Sequence, residues 1–347
     1  MKLPRYRTGD PSLDEAVADL ASRVTERDAD LIFELVTSAL RLARDHADRG
    51  DLKMANAALK EMRYSFHVFE PYRSQRKVAI FGSARTQPDD PLYDQARRFA
   101  RAIAACDWMV ITGAGPGIME AGIEGAGAER AFGVSIRLPF EAAVSQFADD
   151  PKLINFRYFF TRKVTFVKES DAFVLLPGGY GTLDEAFELL TLLQTGKAQS
   201  GPIVMLDTPG GTYWSGWLAF VRRELADNDY VALPDLELLT VTDDVDLAVR
   251  EVTGFYRNYR SQRFVDGRLV LRLRAAPNRA ALAALSDEFA DIIRRGELER
   301  VEASPPEIDD HDALDAERVA FWFDKRNWAR LRTLIDRLNA VAPSATP

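Results

Sequence analysis

The sequence predicts an α/β chain built on a doubly wound parallel sheet, with a helical extension before it and a small α+β appendage after it. Three observations predict this. From Lys77 to about Tyr259, short apolar runs of strand length alternate with longer runs of helical period. Such alternation means a parallel sheet covered by helices on both faces. Glycine-rich stretches stand where strand runs give way to helix runs, at the strand ends where these sheets bind ligands. The flanks do not alternate in this way, so the predicted division is 1–75, 76–260 and 261–347.

In the extension, Ser12-Leu-Asp-Glu15 has the spacing of a capping box and opens an amphipathic run through Val24. Two more helical patterns run from Ala29 to His46 and from Leu52 to about Phe66. Predicted central strands are Val78–Phe81, Trp108–Ile111, Ala131–Ile136, Lys152–Phe156, Ala172–Leu176, Ile203–Leu206 and Leu238–Val241. The helices are Tyr93–Ala105, Gly117–Ala128, Thr161–Glu169, Thr182–Gln194, Trp214–Ala226 and Val245–Tyr259. In the appendage, Gly267–Arg274 alternates as a half-buried strand does. A helix over Asn278–Arg294, a strand at Leu298–Glu302 and a strand over Arg318–Phe323 follow, and the helix Asn327–Asn339 closes the chain. Ser304-Pro-Pro and the acidic run Glu307–Asp312 read as loop, and the tail after Val341 is expected to fray.

With 347 residues, 47% hydrophobic and 28% charged, the chain can bury a sizeable core. A net charge of −8 argues against nucleic acid or an acidic membrane as partner. Cys106 is the single cysteine, which excludes a disulfide framework and fits a reducing cytoplasm. No apolar run has the length of a membrane span, and the N-terminus lacks the apolar core of a signal peptide. The three histidines, His46, His67 and His311, form no ligand pattern, so no metal and no cofactor are expected.

The central motif is Pro177-Gly-Gly-Tyr-Gly-Thr-Leu-Asp-Glu185, between an apolar strand and a helix. Gly178, Gly179 and Gly181 free the backbone for close approach to a ligand. The turn offers unpaired N–H groups at a helix N-terminus, which favours an anion. Thr182 adds a hydroxyl beside Tyr180, and Glu185 a carboxylate one turn into the helix. The same Thr182-Leu-Asp-Glu185 also fits a capping box in an ordinary tight turn. Val78-Ala-Ile-Phe-Gly-Ser-Ala-Arg85 runs from a strand into Gly82 and Ser83, whose hydroxyl could meet a phosphate or sugar. Gly113, Gly115 and Gly117 form another turn into a helix, with Glu120 one turn further on. Their spacing is not that of the dinucleotide fingerprint and they follow the second strand, so a nucleotide-pocket wall is favoured over a nicotinamide site. In Phe159-Phe-Thr-Arg-Lys163, Thr161 reads as a helix N-cap. Arg162 and Lys163 then fall in the first turn, where cations oppose the helix dipole and suit an anionic substrate. Lys163 and Lys197 lack the setting of a pyridoxal Schiff base.

Taken in order, the Gly113–Gly117 turn, Arg162-Lys163 and Pro-Gly-Gly-Tyr-Gly-Thr-Leu-Asp-Glu resemble the Lonely Guy (LOG) family of nucleoside 5′-monophosphate phosphoribohydrolases. That family was once widely labelled as lysine decarboxylases. The likeness covers about Lys77 to Tyr259. It implies a Rossmann-like fold and hydrolysis of the N-glycosidic bond of AMP-like or cytokinin riboside monophosphates, releasing base and ribose 5-phosphate. It also implies a homodimer or larger assembly, a catalytic pair at Arg162 and Glu185, and a phosphate turn at Gly179, Gly181 and Thr182. Phe159-Phe-Thr-Arg-Lys163 stands where many short members have Met-His-x-Arg-Lys, which touches ribose contacts rather than the pair. The extension and appendage look like those of longer bacterial members. The alternative of another class is a non-catalytic nucleotide- or molybdenum-cofactor-binding protein of the same fold.

Overall fold

The computed structural model describes residues 3–136 and 150–341; the predicted frayed tail lies outside them. The chain divides into two units, residues 1–63 and 64–347.

In the first unit, helices α1 (Pro11–Val24) and α2 (Ala29–Arg44) bury Val17, Ala21, Ala29 and Phe33 between them. The predicted capping box at Ser12 is corrected. Asp10 is the N-cap, accepting from the Ser12 and Leu13 amides, and Pro11 occupies the first helical position. Proline suits that position because its missing N–H would have no partner there. Helix α3 (Arg49–Phe69) begins in this unit.

In the second unit, strands and helices alternate as predicted: β1 (Lys77–Phe81), α4 (Pro91–Ala105), β2 (Met109–Thr112), α5 (Ile118–Ala126), β3 (Ala131–Ile136), β4 (Leu153–Phe156), α6 (Phe159–Glu169), β5 (Ala172–Leu175), α7 (Tyr180–Gln194), β6 (Ile203–Leu206), α8 (Tyr213–Val221), β7 (Leu239–Thr242) and α9 (Val245–Phe255). The seven strands form one sheet in the order β4-β3-β2-β1-β5-β6-β7, parallel throughout. Alternate strand residues serve the two faces, as the strand period requires. Val78, Ile80, Val110, Val174 and Val204 pack with α4, α5 and α9. Ala79, Phe81, Ile111, Phe173 and Met205 pack with α6, α7 and α8. Strand order reverses between β1 and β5, so a crevice opens beyond their carboxyl ends.

The appendage comprises β8 (Tyr259–Val265), β9 (Arg268–Leu273), α10 (Arg279–Glu288), β10 (Glu299–Arg300), α11 (Pro305–Asp309), β11 (Glu317–Phe321) and α12 (Trp328–Val341). Its antiparallel sheet runs β10-β11-β9-β8. Leu271, Phe289, Phe321, Leu331 and Leu338 join the same core that α4 and α9 cover. Two readings are corrected here. Helix α9 ends at Phe255, and β8 forms a hairpin with β9 through Asp266-Gly267, both left-handed. The run around Glu307 is partly the short helix α11. Glu307 is fully buried, accepting from Ser304 (2.8 Å), Arg272 (2.8 Å) and Arg318 (3.2 Å), while Arg272 also pairs with Asp312 at 2.7 Å. These bonds hold the Glu307 carboxyl down at about 2, although burial alone would raise it.

Candidate active site

Three turns meet where the strand order reverses. Beyond β1, the Ser83 amide donates to Pro177 O at 3.1 Å, joining the Gly82-Ser83 turn to the turn beyond β5. Ser83 O in turn accepts from the Ile118 amide at 3.0 Å, which ties in the Gly113–Gly117 turn. Some of the glycines are required by this packing. Gly117 has φ +71 and lies against the Ser83 carbonyl, so a side chain there is both strained and blocked. A Cβ at Gly82 would lie 2.6 Å from Ile118, and one at Gly178 would collide with Thr182. Gly179 and Gly181 differ: a Cβ at either would meet nothing within 4 Å. The protein does not need them bare, and their missing side chains leave room on the cavity side.

A cavity of about 690 Å³ lies over these turns. Of the predicted residues, Gly82, Ser83, Gly113, Gly115, Arg162, Gly179, Tyr180, Gly181, Thr182 and Glu185 line it. Gly117, Glu120, Lys163 and Gly178 are outside the lining. Glu120 lies instead beside Tyr93 of α4, whose hydroxyl donates to Glu124 at 3.0 Å. Met119, Phe159 and Ile136 supply apolar wall. A mostly apolar cleft with a few convergent polar groups is the usual form of a small-molecule site.

Helix α7 starts earlier than predicted, at Tyr180 with Gly179 as N-cap, so Thr182 and Glu185 do not form a capping box. The first helical bond runs from the Leu183 amide to Gly179 O. The amides of Tyr180, Gly181 and Thr182 precede any acceptor the helix can offer. With the positive end of the dipole, they make the cavity wall attractive to an anion.

Helix α6 also starts earlier than predicted. Tyr158 is its N-cap, and Thr161 is its third residue, donating to Tyr158 O at 2.9 Å. Arg162 and Lys163 therefore sit beyond the positions where a cation opposes the dipole most. Arg162 Nε donates to Val134 O at 2.8 Å, which fixes the guanidinium over the end of β3. A Cβ at Gly113 would lie 2.5 Å from Arg162 Nη2, so that glycine makes room for the arginine. Lys163 turns aside to pair with Asp184 and Glu188 of α7, at 2.8 Å each. Burial disfavours its ammonium, but these two carboxylates outweigh that and hold its pKa above the usual value.

Glu185 is 6% exposed at the cavity floor. Its carboxyl is raised from the usual 4.5 to about 7, chiefly by burial. The cations of Lys163 and Arg162 pull it down, while Glu188 and Asp184 push it up. A carboxyl poised near neutrality can take or give a proton at working pH. Sequence reasoning did not single out three residues here. Arg85 and Asp184 line the cavity, and Tyr213 donates to Gly178 O at 2.7 Å. Arg85 stood at the end of a stretch already noted, but Tyr213 joins the turn through a tertiary contact with no local signal.

Residues 116–252 match the family model described as "Possible lysine decarboxylase". The cytokinin riboside 5′-monophosphate phosphoribohydrolase of Mycobacterium tuberculosis is 33% identical over 176 residues, 50% of this chain and 91% of that protein. The protein of the same name from Mycobacterium marinum is 32% identical over 177 residues, with the same coverage. The molybdenum cofactor binding protein from Rippkaea orientalis is 20% identical, covers 52% of this chain and 96% of that one, and has a TM-score of 0.38.

Proposed function

We propose, from the premise that this chain belongs to the LOG family of cytokinin riboside 5′-monophosphate phosphoribohydrolases, that it hydrolyses the N-glycosidic bond of nucleoside 5′-monophosphates. One observation carries the reading: the buried Glu185 carboxyl, raised to about 7, lines the same cavity as Arg162 and the amino end of α7. The substrate's 5′-phosphate docks on the Tyr180, Gly181 and Thr182 amides. Its ribose then lies over Glu185. As the C1′–N bond breaks, the electron pair leaves with the base and positive charge develops on the sugar. The Glu185 carboxylate stabilises that oxocarbenium-like state and takes a proton from the water whose oxygen attacks C1′. Ribose 5-phosphate and free base result, the base nitrogen taking up the proton that Glu185 received from the water. Arg162 positions the substrate, and phosphate binding orients the reacting centre.

AMP-like nucleotides are the proposed substrates, with cytokinin riboside monophosphates tested beside them. A chromatographic screen of nucleoside 5′-monophosphates for released base is the test. We expect release by the wild type and a loss of at least about 100-fold in Arg162→Ala, the scale for removing a preorganised electrostatic group. Unchanged turnover in that variant would remove Arg162 from the mechanism. Decarboxylation is disfavoured because the Lys163 ammonium is held between two carboxylates rather than presented as a free amine.

The finer organisation is part of the same proposal. Catalysis is assigned to 76–260, with 1–75 and 261–347 as flanking parts; the cavity lining falls between Phe81 and Glu185. A homodimer or larger assembly in the cytoplasm is inferred. Phe159, Phe160, Val164 and Tyr180 expose apolar surface near the cavity in the single chain, which supports pairing, and sedimentation reads the size. Among the described residues no helix is long and apolar enough to cross a membrane.

A further inference from the structure

We propose that Tyr213 is a positioning residue that sets which way the Gly178–Gly179 peptide faces, and so aims the Gly179 N–H at the substrate's phosphate. This rests on the reading that the turn holds a 5′-phosphate. A peptide unit between two glycines rotates with little steric opposition. Bare residues at 178 and 179 therefore leave the turn two peptide orientations, and only one turns the N–H toward the cavity. No cis peptide occurs among the described residues, and in a trans unit the C=O and N–H point to opposite sides. Gly178 O accepts from the Tyr213 hydroxyl at 2.7 Å. Tyr213 stands at the start of α8, outside the cavity lining and packed on the core face shared by α6 and α7. Its ring meets the fully buried Trp214 edge-on, centroids 4.8 Å apart. The carbonyl is thus held toward Tyr213, which is outside the lining, and the Gly179 N–H of the trans unit faces the opposite side, where the proposal puts the phosphate.

Removing the hydroxyl frees the peptide to turn its carbonyl oxygen toward the anion. A single hydrogen bond of ordinary net strength biases such an equilibrium by about fivefold. The Tyr213 hydroxyl is spent on Gly178 O rather than on Glu185 or Arg162, so the loss falls on binding rather than on the chemical step.

The experiment compares the full-length wild type with Tyr213→Phe. Calorimetry reads the Kd for inorganic phosphate, and initial rates on AMP read KM and kcat. We expect Kd and KM to rise together, by at most about fivefold, with kcat within about twofold. Unchanged Kd and KM, a fall in kcat alone, or a wild type that does not bind phosphate would each overturn the proposal. A wild type that binds phosphate but releases no base overturns the hydrolysis reading, while the ratio of Kd values still decides on Tyr213. Should the phenylalanine variant not fold, Tyr213→Met fills the space without a donor and is judged by the same ratios.

Discussion

Glu185→Gln separates the cost of the proposed catalytic carboxylate from its use. Burial raises the Glu185 pKa from 4.5 to about 7, so the folded state holds a proton that the unfolded state releases between those values. Stability contributed by this group is fully present below about 4.5 and is lost as pH rises through about 7. At about 1.36 kcal/mol per pH unit, the ionised carboxylate costs the fold about 3 kcal/mol at pH 8. Glutamine has nearly the same shape and never ionises. The variant should therefore match the wild type near pH 4.5 and exceed it by up to about 3 kcal/mol at pH 8. Urea unfolding of both proteins at the two pH values measures this, because titrating groups that do not interact with Glu185 cancel in the comparison. The same variant should release no base from AMP at either pH. A stability difference that does not change with pH, or a less stable variant at pH 8, would refute the claim that Glu185 is a desolvated acid.

Four further outcomes follow from the geometry. Lys163→Met removes the cation that most lowers the Glu185 pKa, so the acid limb of kcat/KM, expected near pH 7 in the wild type, should move to higher pH; a pH–rate profile reads it. Gly179→Ala meets nothing within 4 Å and should fold with unchanged stability yet raise KM for AMP. Gly117→Ala, at φ +71 against a backbone carbonyl, should lower the urea midpoint instead. Glu307→Gln leaves Arg272 and Arg318 in the appendage without their shared carboxylate and should cost about 3 kcal/mol, measured by urea unfolding at neutral pH.

The parallel sheet was legible because its strands are buried on both faces and so read as unbroken apolar runs, such as Val78–Phe81 and Ile203–Leu206. Helix starts were less legible. At α6 and α7 a threonine with cap-like spacing drew attention, but the helices begin on Phe159 and Tyr180, with no side-chain cap at either. Backbone of the preceding turn, not a side chain, sets both ends. Strand β8 is absent from the sequence reading although Asp266-Gly267 is a strong hairpin signal; its Arg260-Ser-Gln-Arg263 run lacks the apolar alternation of a half-buried strand. Charge also misled at Glu307, where an acidic run reads as loop unless its arginine partners, 35 and 11 residues away, are known. In the cavity, glycine spacing located the turns. It did not separate Gly179 and Gly181, which face open space, from Gly117 and Gly178, which only pack. That distinction depends on neighbours brought in by the fold.

The core beneath α4 and α9 continues without a break into the appendage, from Val174 and Phe255 to Leu271, Phe321 and Leu334. Anyone cutting the chain after residue 260 to isolate a minimal nucleotide-cleaving body would strip an oily flank from beneath the sheet. A shorter version has to repaint that flank with polar side chains, or it will clump before it can be assayed.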